Sequence, residues 1–260
     1  MRSHVAAVVG IVMACSFAGS AQAPAQNAPP PLPTCTELAA ALRAVAANDA
    51  RLKDWAQFGR YRDDNRTVSS VDVVFMGDSI TDFWQRAQFG TFFSNTRYLD
   101  RGISGQTTPQ MLVRFRSDVL AFKPQAVVIL AGTNDIAGNT GPESDEMIED
   151  NLTSMSELAV ASHVKVVLSS ITPVSEYHLA NPNATPQTTQ RPMTRIRAIN
   201  EWIKRYAAAR GHIYLDYFSS MTDDKGLLKA ELSADDLHPN AAGYAVMAPL
   251  AQAAIDKALR

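Results

Sequence analysis

A serine follows an apolar run in the first half of the chain. Residues 71–81 read Val-Asp-Val-Val-Phe-Met-Gly-Asp-Ser-Ile-Thr, so Ser79 stands two positions after the glycine that ends the run. The pattern predicts a buried strand that leads into a helix, with Ser79 at the carboxyl end of the strand. Clefts of open α/β sheets lie at such strand ends, where a hydroxyl can act as a nucleophile.

A candidate base for this serine lies near the other end of the sequence, in Asp235-Asp236-Leu237-His238-Pro239. A histidine can accept the serine proton near neutral pH, and a carboxylate can fix the tautomer of the imidazole. Asp235 is the expected carboxylate, and Asp236 is its rival at a shorter spacing. The three residue types Ser, His and Asp predict a serine-dependent acyl hydrolase.

Short apolar runs alternate with longer amphipathic ones along most of the chain, which predicts a parallel sheet covered by helices on both faces. We expect a single doubly wound α/β domain, a three-layer α/β/α sandwich with a mostly parallel five-stranded sheet. The predicted strands are Val71–Met76, Arg97–Asp100, Gln125–Ala131, Val164–Ser170 and Ile213–Asp216. The predicted helices are Thr108–Phe122, Ser144–Ser162, Arg191–Arg210 and Asn240–Leu259, preceded by a helical pattern over Cys35–Arg62.

Four segments carry unusual residues at or just after the predicted strand ends. They are Gly77-Asp78-Ser79, Arg101-Gly102-Ile103-Ser104-Gly105, Gly132-Thr133-Asn134-Asp135, and Asp235 to His238. Together, in this order, they resemble the four sequence blocks of the SGNH (GDSL-type) hydrolase family. The resemblance extends from about Val71 to Leu259.

The resemblance implies a role for each matching position. Ser79 is the nucleophile, and Asp235 and His238 complete a catalytic triad. The oxyanion hole is formed by the backbone N–H groups of Ser79 and Gly105 and by the side-chain amide of Asn134. The implied fold is flavodoxin-like. An α/β-hydrolase is not expected, because that fold uses a Gly-x-Ser-x-Gly elbow, which is absent around Ser79.

Composition excludes several other classes of function. The 260 residues include 24 basic and 26 acidic side chains and have a net charge of −2, which argues against nucleic acid as the main partner. The histidines are scattered without metal-ligand spacing, and no P-loop is present. We therefore expect no metal and no cofactor, and an ester as the substrate, either small or linked to a polysaccharide.

The first 34 residues predict export. Residues 1–23 combine an early arginine, an apolar stretch and a small-residue cleavage site, as in a signal peptide, and the stretch is too short for a stable membrane span. Residues 24–34 form a proline-rich linker, and the hydrolase domain occupies residues 35–260. Secreted or periplasmic localisation follows. An alternative is lipid anchoring through Cys15, whose surroundings loosely resemble a lipoprotein box.

Several single residues also receive an interpretation. Asp78 is expected to hold the turn beside Ser79, Asp135 to tie its own loop together, and Trp84 to pack in the core. The long connection Ile171–Thr189, rich in Pro, Asn and Thr, is a candidate wall of the substrate pocket. Cys35 is the only thiol after signal removal, so no internal disulfide is expected.

The sequence thus predicts an exported serine esterase that acts on carboxylic esters, with short acyl or acetyl groups favoured. Two alternatives stay open. One is a lipid acyl hydrolase of the lysophospholipase or thioesterase type. The other is a non-catalytic carbohydrate-binding protein on the same scaffold.

Overall fold

The computed structural model describes residues 34–89, 92–93, 97–179, 181 and 183–260. The predicted export signal, Cys15 and the predicted linker up to residue 33 lie outside these residues. The chain divides into two compact units, Met1–Ala47 and Asn48–Arg260. The described part of the first unit is mostly helical. The second unit contains all the strands described below and the residues predicted for the site.

Five parallel strands form the sheet of the described residues, in the order β2-β1-β3-β4-β5. This is the strand order of flavodoxin-like doubly wound folds, and the predicted three-layer α/β/α architecture is confirmed. The strands are β1 (Val73–Gly77), β2 (Tyr98–Gly102), β3 (Ala126–Leu130), β4 (Lys165–Ser169) and β5 (Ile213–Leu215).

Helices precede, connect and follow these strands. In the described residues they are α1 (Cys35–Lys53), α2 (Ser79–Asp82), α3 (Thr108–Asp118), α4 (Thr133–Ile136), α5 (Asp145–Ala161), α6 (Gln187–Gln190), α7 (Met193–Arg210), α8 (Tyr217–Met221) and α9 (Ala241–Ala258). None of the described helices is both long enough and apolar enough to cross a membrane.

The core lies on both faces of the sheet because successive strand residues point to opposite sides. Val74 and Met76 pack on the face covered by α3, α5 and α7. Val73 and Phe75 pack on the opposite face, against α8 and α9. All five residues of β1 and all five of β3 are buried. Burial on both faces explains why the sequences of β1 and β3 are continuous apolar runs.

The register of the central strands brings three chain segments to one edge of the sheet. Gly77, the last residue of β1, pairs with Gly102 at the end of β2 and with Leu130 at the end of β3. Each of these strands is followed within four residues by a residue predicted for the site. The sheet thus provides the platform on which the first three of the four blocks meet.

Most predicted boundaries differ from the observed ones by one or two residues, but two differ more. The helical pattern read over Cys35–Arg62 ends as a helix at Lys53, and turns follow it up to Asp63. The predicted helix Thr108–Phe122 is α-helical only to Asp118 and closes with a 3-10 turn at Leu120–Phe122. Lys123, at φ 50°, ends this turn in the left-handed region, just before Pro124.

Candidate active site

Ser79 is the first residue of α2 and follows β1 through a tight turn. Asp78 caps the helix: its Oδ1 accepts a hydrogen bond of 2.9 Å from the backbone N–H of Ile80. The predicted role of Asp78 in holding this turn is confirmed. A Cβ on Gly77 would lie 2.1 Å from Oγ1 of Thr81. Only glycine therefore lets the strand end close enough to the helix for this turn.

His238 contacts both Ser79 and Asp235. Its Nε2 lies 2.9 Å from Oγ of Ser79, and its Nδ1 lies 2.6 Å from Oδ2 of Asp235. Oδ1 of Asp235 also accepts from the backbone N–H groups of Leu237 at 3.1 Å and His238 at 2.8 Å. This geometry would let a neutral imidazole take a proton from the serine hydroxyl while the carboxylate holds the other ring nitrogen.

The surroundings of Asp235 keep it ionised. Burial raises its pKa, but hydrogen bonds from the side chain and backbone of His238 lower it by more, so the pKa lies well below the ordinary value of 3.8. A charged carboxylate at this position would stabilise an imidazolium at His238.

One wall of the site is aromatic. The ring of Phe83 lies 4.7 Å, centroid to centroid, from the imidazole of His238, at an interplanar angle of 33°. The guanidinium of Arg86 stacks on the same phenyl ring, 3.4 Å from its centroid. Phe83 therefore limits the movement of the imidazole. It was not among the residues predicted from the sequence, and its position four residues after Ser79 gives no distinctive signal.

Gly105 and Asn134 lie after the strands that flank β1. Nδ2 of Asn134 donates a 3.0 Å hydrogen bond to the carbonyl of Gln106, the neighbour of Gly105, and its second N–H stays available. Among the described residues, none accepts a hydrogen bond from the backbone N–H of Ser79 or of Gly105. Gly105 has φ +80°, a conformation that favours glycine. These N–H groups can serve as donors to a ligand.

Arg191 is a further residue of the site that sequence reasoning missed. Its guanidinium is buried, with Nε 3.1 Å from Oγ1 of Thr133 and Nη2 3.4 Å from Oδ1 of Asn134. Burial lowers the pKa of Arg191, while the charges of Asp78 and Asp235 act in the opposite direction. Because the arginine contacts the oxygen of the Asn134 amide, it directs the amide nitrogen the other way, towards Gln106.

Among the described residues, the hydrogen-bond partners of the Asp236 carboxylate lie in the long connection that follows β4, and His238 is not one of them. Its carboxylate accepts from the hydroxyl of Ser175 at 2.6 Å and from the backbone N–H groups of Tyr177 at 2.9 Å and His178 at 2.8 Å. The imidazole Nδ1 of His178 lies 3.1 Å from the same carboxylate. The rival to Asp235 thus joins the connection to the segment that carries His238.

Two further interpretations concern single buried residues. Trp84 is 3% exposed and packs against Phe75 and Tyr244, as predicted for a core residue. Asp135 interacts with Glu143 of its own loop, and its Oδ1 also accepts from the backbone N–H and hydroxyl of Thr108, so it holds the start of α3 as well. Within the described part of the chain, no cluster of three or more His, Cys, Asp or Glu side chains is arranged to hold a metal ion.

Comparison with known proteins gives consistent matches. The sequence model of the GDSL-like lipase/acylhydrolase family matches residues 75–246. The crystal structure of a GDSL-like lipase from Bacteroides thetaiotaomicron shares 37% identity with this chain, with a TM-score of 0.71, and the match covers 78% of this chain and 99% of that one.

Two further relatives carry different descriptions. An acetylxylan esterase from Geobacillus stearothermophilus is 26% identical over 210 residues, which are 69% of this chain and 91% of that protein. An uncharacterized lipoprotein from Bacillus subtilis, YqeF, is 32% identical over 121 residues, or 40% of this chain. The second match spans only 50% of the lipoprotein.

Proposed function

The chain belongs to the GDSL-like lipase/acylhydrolase family, and from this premise we propose that it is an exported serine esterase for short-chain carboxylic esters. In this proposal Ser79, His238 and Asp235 form the catalytic triad. The N–H groups of Ser79 and Gly105 and the amide of Asn134 form the oxyanion hole. The observation that carries the proposal is the distance of 2.9 Å between Nε2 of His238 and Oγ of Ser79.

Acylation begins when Oγ of Ser79 attacks the carbonyl carbon of the ester. The hydroxyl proton passes to Nε2 of His238, and the π electrons of the carbonyl move to its oxygen. The resulting oxyanion accepts hydrogen bonds from the three donors. When the tetrahedral intermediate collapses, the bond to the leaving alcohol breaks, and His238 gives its proton to that oxygen.

Deacylation repeats these steps with water. His238 takes a proton from a water molecule as its oxygen attacks the acyl carbon, and a second oxyanion forms in the same hole. Collapse then breaks the bond to Oγ of Ser79, which regains a proton from His238, and the acid is released. Asp235 holds the imidazole in the required tautomer through both halves of the reaction.

Export and the preference for short acyl groups are part of the proposal. The predicted signal in residues 1–23 supports export, and the relative described as a lipoprotein fits a location outside the cytoplasm. The relative described as an acetylxylan esterase supports an acetyl ester as the substrate. Anchoring through Cys15 is the alternative to a free exported protein.

The test of the mechanism compares the wild-type protein with the Ser79→Ala variant. We expect the wild-type protein to hydrolyse 4-nitrophenyl acetate and to be labelled by a fluorophosphonate at Ser79. We expect the variant to lose both properties, since no other hydroxyl contacts His238 in the described residues. Turnover by the variant at the wild-type rate would remove Ser79 from the mechanism. Absence of both hydrolysis and labelling in the wild-type protein would favour the non-catalytic alternative.

A further inference from the structure

A groove adjoins the candidate oxyanion hole on the side of β2. Its volume is about 700 Å³, and Gly105, one of the proposed oxyanion donors, is part of its lining. The opposite side is formed by Leu52, Trp55 and Gln57, from the chain segment that ends α1 and leads away from it. This segment precedes residue 75, where the match to the family model begins. The groove is therefore partly built by residues outside the matched region.

The segment is anchored to the loop that carries Gly105. The side-chain amide of Gln106 donates a 2.8 Å hydrogen bond to the carbonyl of Ala56, and that of Gln110 donates one of 2.6 Å to the carbonyl of Trp55. Both glutamine side chains are buried. The backbone that carries Trp55 is consequently held close to the proposed oxyanion hole, and 42% of the residue is exposed.

The chemistry of the groove favours a neutral, hydroxyl-rich ligand. None of the described residues that line it carries a charge, which disfavours a phosphorylated lipid headgroup. Among the described residues, the side-chain amide of Gln57 and Oδ1 of Asn139 have no hydrogen-bond partner. A sugar ring offers apolar C–H groups to an aromatic face and hydroxyls to such amides. A long acyl chain would instead need a continuous apolar lining, and the lining here is interrupted by polar residues such as Ser104, Asn139 and Thr140.

We infer that this groove binds a sugar ring of the substrate, with Trp55 as the stacking platform, so that the ester is an acyl group on an oligosaccharide. The inference rests on the proposed function and specifies the alcohol part of its substrate. The sugar would lie between Trp55 and Asn139, with its ester directed past Gly105 to Ser79.

The experiment compares two acetyl esters. One is 4-nitrophenyl acetate, which carries no sugar, and the other is an acetylated xylo-oligosaccharide. In the Trp55→Ala variant we expect the ratio of kcat/KM for the oligosaccharide to that for the aryl ester to fall about tenfold, mainly through KM. The Trp55→Phe variant should keep most of this ratio, because it retains an aromatic face. Phe58→Ala is the matched control, since Phe58 is 45% exposed but lies outside the groove lining, and it should keep the wild-type ratio.

Three results would overturn the inference. The first is an unchanged ratio in Trp55→Ala. The second is a loss of activity in Trp55→Ala that is larger on 4-nitrophenyl octanoate than on the acetylated xylo-oligosaccharide. This result would assign the groove to the acyl chain. The third is absence of binding to unacetylated xylohexaose in calorimetry, in the case that the wild-type protein hydrolyses neither ester. Lack of hydrolysis alone would refute the proposed function but not the sugar site. Binding to the wild-type protein that weakens in Trp55→Ala but not in Phe58→Ala would support the sugar site even then.

Discussion

Asp235 shows how one side chain can be both partly exposed and strongly held. Its carboxylate accepts from the ring and the backbone of His238 and from the backbone of Leu237. We expect Asp235→Asn to lower kcat on 4-nitrophenyl acetate by a factor on the order of 10³ to 10⁴, because an amide can orient the imidazole in the wrong tautomer. Steady-state kinetics will measure the loss.

The matched control for Asp235→Asn is Asp224→Asn, which makes the same chemical change at an exposed position. It should leave kcat at the wild-type value. If the two variants had equal activities, Asp235 would have no part in orienting His238.

The raised pKa of Asp78 predicts that the free energy of unfolding depends on pH. Burial raises the pKa of this carboxyl from 3.8 to about 6. Between these values the folded protein holds a proton that the unfolded chain has released. The contribution of Asp78 to stability is therefore full below about pH 4 and is lost as the pH rises through about 6. The Asp78→Asn variant keeps an acceptor for the N–H of Ile80 and does not titrate.

We therefore expect Asp78→Asn to lose less unfolding free energy than the wild-type protein between pH 4 and pH 7, by up to about 3 kcal/mol. Urea unfolding at a series of pH values measures the difference. Parallel curves for the two proteins would contradict the raised pKa.

Arg191 is expected to act through Asn134. The Arg191→Met variant removes the contact to the amide oxygen and should lower kcat by about tenfold with a smaller change in KM, because the orientation of the Asn134 amide, one of the proposed oxyanion donors, is then less well fixed. Arg195→Met is the control: Arg195 binds Asp145 and the carbonyl of Glu143. That variant should lose thermal stability without a selective loss of kcat. Equal effects of both variants on kcat would argue against a positioning role for Arg191.

At the level of structural elements, Asp236 joins the connection after β4 to the segment that carries Asp235 and His238. Removing its carboxylate leaves the N–H groups of Tyr177 and His178 and the hydroxyl of Ser175 without their acceptor. We expect Asp236→Ala to destabilise the protein by about 2 kcal/mol and to speed amide hydrogen exchange at Tyr177 and His178. Exchange measured by NMR or mass spectrometry tests this, and unchanged protection at both residues would contradict it.

The sequence predicted the strands and long helices well because their patterns are local. An apolar run such as Val127 to Leu130 has few alternatives to a buried strand, and amphipathic stretches over four turns define α5 and α7. The short helices α4, α6 and α8 were not predicted, since four or five residues are too few to display a helical period. The start of α8 depends on Asp216, whose capping bond is visible only in the structure.

The residues predicted for the site came from motifs, whereas the missed ones lack any motif. Arg191 and Asn134 are 57 positions apart, and Asp236 and His178 are 58 apart. Such pairs form through the tertiary fold, so one sequence carries no local sign of them. The sequence offered Asp236 as a rival carboxylate for His238. In the structure Asp236 has a left-handed backbone conformation, with φ 67°, and its carboxylate binds the connection after β4.

For the whole molecule, stability must come from the core on both sides of the sheet. Cys35 is a free, exposed thiol, so the described residues contain no disulfide. We expect the protein without residues 1–23 to melt at the same temperature with and without a reducing agent, as measured by calorimetry. The Cys35→Ser variant should behave identically. A lower melting temperature in the reducing agent would contradict this expectation, because it would indicate a stabilising disulfide bond.

The link between Trp55 and the loop of Gly105 has a consequence for regiochemistry. The bonds from Gln106 and Gln110 to the Trp55 segment, with the 3.0 Å bond from Asn139 to the carbonyl of Gly105, join the backbone of Trp55 and the donor peptide in one hydrogen-bonded frame. If a pyranose stacks on Trp55 as proposed, this frame would favour one of its carbon positions at Ser79. The deacylation products of a multiply substituted sugar should therefore be dominated by one positional isomer.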